Sequence, residues 1–260
     1  MVMIGRTIAC NTSSVHLWRC RFIATGIEGV RRFQDTEAGA TTVVVAVGDV
    51  FFNPAGAVNI NADITTNGGT FTTTGADLNI AGTVSTLGGL VSSTHLSSIT
   101  IDGIINSAGG AIGMQTTGVG STLNLNGDVS SGIGPVSLDA LGTLNLGAAS
   151  SVTTSSGLVN IGSLLAGVVN LGGQLVTVDG DVTLENPLTL AHDFLIDTSA
   201  GGGNITLTGT INGNSILTLD AGALGLIDLQ AEIINFHVAT KTVPSLTRRV
   251  EISAFGHDDL

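Results

Sequence analysis

The chain has no tyrosine, one tryptophan and eight phenylalanines among 260 residues. A core held together by buried aromatic rings is therefore excluded. Positive charge is missing over most of the length: Lys and Arg occur only at Arg6, Arg19, Arg21, Arg31, Arg32, Lys241, Arg248 and Arg249. Residues 33–240 hold sixteen Asp or Glu and no cation, a formal charge of −16. Such a body repels phosphate backbones and anionic headgroups, which excludes nucleic acid and membrane surfaces as electrostatic partners. Its carboxylates must be solvated, hydrogen-bonded to backbone, or bound to a cation such as Ca²⁺.

Cysteine is nearly absent too. Cys10 and Cys20 are the only two, nine residues of chain between them, and both a disulfide and free thiols fit that pattern. The opening "MVMIGRTIACNTSSVHLWRC" does not read as a secretory signal, because Arg6, Asn11 and His16 interrupt its apolar residues. The most apolar uncharged stretch, residues 158–178, contains Asn160, Asn170 and Gln174. Its apolar residues alternate, which points to buried strands and not to membrane insertion.

What the chain does have is glycine, 37 residues of it, and repetition. Composition divides it into an Arg-bearing start at 1–40, a Gly/Thr/Asn/Leu body at 41–235 and a mixed tail at 236–260. In the body, short triplets recur: "NIN" at 59–61, "LNI" at 78–80, "ITI" at 99–101, and "LNL" at 123–125 and 144–146. Their anchors are Ile60, Ile80, Ile101, Leu125 and Leu146, separated by 20, 21, 24 and 21 residues. Later triplets at 169–171, 182–184, 205–207 and 217–219 keep the style with looser spacing.

A period in the low twenties, with alternation inside each unit, is the signature of a strand solenoid. No unit can hide an apolar face alone, so successive units stack. Gly and Asn in "TNGGT", "TLGGL" and "SAGGA" suit tight turns, and Asn59, Asn79, Asn124 and Asn145 are placed to form amide ladders. The expected fold is all-β, a right-handed parallel β-helix with irregular ends; the alternative is an antiparallel β-sandwich. Residues 1–40 and 236–260 are candidate caps for the open ends of such a helix; the equal alternative is that they are disordered or left from truncation of a longer array.

The segments "NINADITTNGGTFTTTG" and "GDVTLENPLTLAHDFLIDTSAGGGNITLTGTINGNSILTLDAG" (180–222), with the low-twenties repeat, resemble the β-strand repeat regions of filamentous haemagglutinin-like bacterial adhesins. The likeness covers about 41–235. It implies a secreted, cell-surface β-helical rod for attachment or biofilm formation, meeting a host or neighbouring cell surface or its glycans, and part of a longer chain or array. "FFNPAGAV" at 51–58 is similar to the "NPNG" element of the secretion domain in that class, with Ala55 in place of Asn; a plain turn at Pro54 and Gly56 explains the same residues.

Catalysis has few candidates. Uronate lyases of this shape need a basic side chain, which the body lacks. A glycosidase needs paired carboxylates, for which Asp179 and Asp181 in "VDGDV" stand nearest, with Asp193 and Asp197 beside His192 as a second set. "DGD" reads first as a turn or solvated edge, next as a Ca²⁺ loop with Asp179 and Asp181 as metal ligands, and last as a catalytic pair. His95 and His192 are read as sitting alone in polar loops, without a nucleophile motif nearby. The threonines of "TFTTTG" do not recur at one offset, against an ice-binding face. The expectation is a non-catalytic structural or adhesive segment, with no cofactor unless Ca²⁺ is bound; the alternative is a carbohydrate-active β-helix hydrolase.

Overall fold

Alternation puts every second side chain of a strand on one face. Where successive units repeat that alternation in step, strands of like sequence lie side by side and bury the same face. The computed structural model shows this arrangement; it describes residues 31–33, 38–40, 44–45, 48–162, 167–230 and 249–253. Cys10 and Cys20 lie outside the described residues. Among the described residues there is no helix, and the strands form one parallel β-solenoid of about eight turns.

Each turn contributes to three ladders. The first runs inward through Val50, Phe71, Val91, Ile112, Val136, Val159, Val182 and Ile205. The second stacks Val58, Leu78, Ile99, Leu123, Leu144, Val169, Leu188 and Ile211. The third stacks Ile64, Val84, Ile105, Val129, Val152, Leu175, Ile196 and Leu219. All of these side chains are buried, and together they line the interior as one core. Burial of each Val, Leu or Ile contributes roughly 1.5–3 kcal/mol, which replaces what aromatic rings supply in other folds. Parallel pairing reaches back to Arg31–Phe33, Ala38–Ala40 and Val44–Val45.

The corner after the third ladder explains two classes of small residue. Thr66, Thr86, Ser107, Ser131, Thr154 and Thr177 all turn inward there, and each hydroxyl donates to a glycine carbonyl three residues on. Thr198 makes the equivalent bond to Gly203 O, at 2.5 Å. This threonine or serine column lies outside "TFTTTG" and has no single offset; it faces the interior, where its hydroxyls close the turns. Removing one, as in Thr154→Val, leaves the Gly157 carbonyl without its 2.7 Å donor. A loss of ~1–3 kcal/mol in urea unfolding is expected.

The acceptor glycines stack on one another. A Cβ at Gly89 would lie 1.9 Å from Gly69 O, at Gly110 2.0 Å from Gly89 O, and at Gly180 2.1 Å from Gly157 O. No other residue fits this approach. The preceding positions have a different constraint: Asn67, Leu87 and Ala108 sit at φ 50° and the glycines after them at 96°, 109° and 131°. Asn tolerates that left-handed conformation and Leu does not. Leu87 is also 51% exposed, so Leu87→Asn should stabilise the fold by about 1 kcal/mol; no gain in melting temperature would contradict that reading of the turn.

Candidate functional site

The second ladder presents its middle residue outward, and five of those residues are asparagines bonded coil to coil in two runs. Asn79 Nδ2 donates to Asn59 Oδ1 at 2.8 Å, Asn145 to Asn124 at 2.7 Å, and Asn170 to Asn145 at 2.7 Å. The amide ladder expected from sequence is present and extends one coil further, with Thr100 accepting from Asn124 at 3.4 Å where an asparagine is missing. These polar groups tie coils together and are held half-buried. Asn145 bonds both neighbours, so Asn145→Ala should cost ~1–2 kcal/mol in urea unfolding.

The acidic residues are used in the same way. Backbone N–H groups of the following coil donate to carboxylates of the coil before: Thr70 to Asp49 at 2.7 Å, Thr83 to Asp63 at 2.8 Å, Ile216 to Asp193 at 2.9 Å. Hydrogen bonds to a carboxylate are among the stronger ones. Of the three fates open to carboxylates in a body without cations, bonding to backbone accounts for these. Asp77 and Asp102 instead accept from Ser98 Oγ and Asn126 Nδ2, at 2.7 and 2.8 Å.

Asp179 and Asp181 flank buried Gly180 at the glycine corner, and both are exposed. Asp181 Oδ1 accepts from Asn204 N–H at 2.7 Å. Asp179 Oδ1 lies beside Gly201, where an added Cβ would also stand 2.7 Å from the fixed Val178 carbonyl oxygen. The two carboxylates are thus each seated on a different residue of the next coil. Among the described residues no group of three or more His, Cys, Asp or Glu is arranged to hold a metal ion. In the second set, His192 and Asp193 are exposed, and Asp197 Oδ1 accepts from Ser199 N–H at 2.9 Å.

His95 departs from the sequence reading. It does not lie in a polar loop: it is 1% exposed, within Val91–Ile101, at a position stacked between Gly75 and Thr116. The signal was available, because Val91, Ser93 and His95 share the inward parity. Its Nε2 lies 3.0 Å from Thr73 Oγ1, which itself donates to Ser93 Oγ at 2.9 Å. Thr73 oxygen then accepts from Nε2–H, a tautomer inferred from the bonds, which leaves the lone pair on Nδ1. Nδ1 is buried without a partner. Burial lowers the imidazole pKa from 6.5 to about 4, and the Asp77 carboxylate opposes part of that shift.

No protein-family profile, curated protein or solved structure matches the chain.

Proposed function

We propose that this chain is a non-catalytic scaffold segment of a surface adhesin of the filamentous haemagglutinin-like, β-strand repeat class, exported to the cell surface. It acts there as an acidic rod for attachment or biofilm formation. The observation that carries this reading is the expenditure of polar side chains: the asparagine ladder and the Asp49, Asp63, Asp181 and Asp193 carboxylates all bond the neighbouring coil. A surface built this way supports stiffness. Asp181 Oδ1 takes Asn204 N–H of the next coil, a structural use of the carboxylate like that of Asp49, Asp63 and Asp193.

Binding by such a rod works through many weak contacts, and its strength grows with the number of copies presented. Its partner is a host or neighbouring cell surface, with glycans as the chemistry to try first. The test uses beads coated with the full chain, sparsely or densely, incubated with cells. Retention should rise roughly a hundredfold from sparse to dense coating, the lower end of multivalent gain, and Asp179→Ala/Asp181→Ala should leave it unchanged. Release of reducing sugar from a glycan, abolished in that double variant, would overturn the reading in favour of a hydrolase.

A further inference from the structure

One pairing in the molecule runs against all the others. Arg249–Ser253 lies antiparallel on Ile216–Asp220, the last strand of the third ladder, while the remaining pairings among the described residues are parallel. The register sets Asp220 opposite Arg249, Leu219 opposite Val250, Leu217 opposite Ile252 and Ile216 opposite Ser253.

The charge pattern gives this register meaning. Asp220 continues a column in which Asp197 is its parallel neighbour, so two carboxylate-bearing residues stand ~4.8 Å apart across the ladder. Each carboxylate accepts a local backbone bond, from Ser199 N–H at 2.9 Å and Gly222 N–H at 3.0 Å. Like charges stacked in this way oppose each other, and a cation on the next strand relieves them. No Lys or Arg exists anywhere in residues 33–240, and the residue in register with Asp220 is an arginine. In the same register Val250 and Ile252 fall opposite Leu219 and Leu217.

We propose that the outer edge of Ile216–Asp220 is a strand-docking site that selects an extended segment carrying a cation opposite Asp220. Its occupant in this chain is Arg249–Ser253. Main-chain bonds give the site its affinity, as in other cases of strand addition to a sheet edge, and the Asp197–Asp220 column sets which segment enters and in which register. An exposed parallel edge is a template for other chains, and this site fills it with a charged strand of opposite direction.

Hydrogen exchange on the full chain, read by mass spectrometry, tests the proposal. In the native chain, amides of Arg249–Ser253 should be protected together with those of Ile216–Asp220. Asp220→Arg should lower protection of Arg249–Ser253 about tenfold, equivalent to ~1.4 kcal/mol, without changing Ile205–Leu207. Combining Asp220→Arg with Arg249→Asp should restore it. Unprotected Arg249–Ser253 in the native chain would overturn the docking site. Equal protection in Asp220→Arg, or no recovery in the swapped pair, would overturn selection by charge.

Discussion

Replacing Gly157 by alanine should cost ~3 kcal/mol or more and lower the melting temperature by about 10 °C. The added methyl would stand 1.9 Å from Gly134 O, 2.5 Å from Gly134 C and 3.0 Å from Pro135 N. All three are backbone atoms of the coil beneath, so nothing can rotate aside. Relief requires the coils to separate at that corner, where Val136 N–H donates to Leu158 O at 2.8 Å and Val159 N–H to Asp181 O at 2.9 Å. Gly157 has no left-handed φ among its reasons for being glycine; the cost is steric. Gly113 is the control, since a Cβ there meets nothing within 4 Å and its strand conformation suits alanine. Gly113→Ala should stay within about 0.5 kcal/mol of the native chain. Equal losses in the two variants would remove the stacked-glycine corner from the account.

Acid should weaken the fold through His95. The unfolded chain binds a proton at this imidazole near pH 6.5, while the folded chain resists until about pH 4. Folded pKa below unfolded pKa for a base means that the stability is fully present above 6.5. It is lost as pH falls from 6.5 through about 4, because the unfolded state binds more protons over that interval. One histidine contributes a slope of at most ~1.4 kcal/mol per pH unit, so the loss approaches ~3 kcal/mol by pH 4. The cause is spatial: protonation would add a buried N–H at Nδ1, which has no partner, at a site beside Thr73, Gly75 and Thr116. His95→Gln keeps a donor for Thr73 and removes the titration. The stability difference between native chain and variant, measured by urea unfolding, should shrink by that amount from pH 7 to pH 4. A difference that stays constant with pH would show that His95 is not the titrating group.

Much of the architecture was legible because one column repeats both its apolar and its polar letters. Ile60, Ile80, Ile101, Leu125 and Leu146, taken from sequence as equivalent anchors, are register partners in one ladder, and the asparagines beside them stack as expected. The later triplets looked irregular for a simple reason: 182–184 and 205–207 belong to the first ladder, 169–171 to the second, and 217–219 to the third. Comparing them with the early anchors mixed three separate columns.

The corner was harder to read. Its hydroxyl column accepts Thr or Ser interchangeably, since only the oxygen is used, and its spacing drifts as coils lengthen, from 20 residues between Thr66 and Thr86 to 24 between Ser107 and Ser131. The carboxylates carried no positional signal at all. Whether Asp181 turns to solvent or takes Asn204 N–H depends on a residue 23 positions away, beyond the reach of any local motif.

Stacking in register is the claim on which the rest depends, and paired cysteines test it most directly. In a chain with Cys10→Ser and Cys20→Ser, Asn145→Cys/Asn170→Cys places thiols on adjacent coils, about 4.8 Å apart along the ladder and within disulfide reach. Asn124→Cys/Asn170→Cys spans two coils, roughly 10 Å and out of reach. Mild oxidation should link the first pair within the folded monomer and leave the second pair as free thiols. Linkage of the second pair, or of neither, would contradict the solenoid.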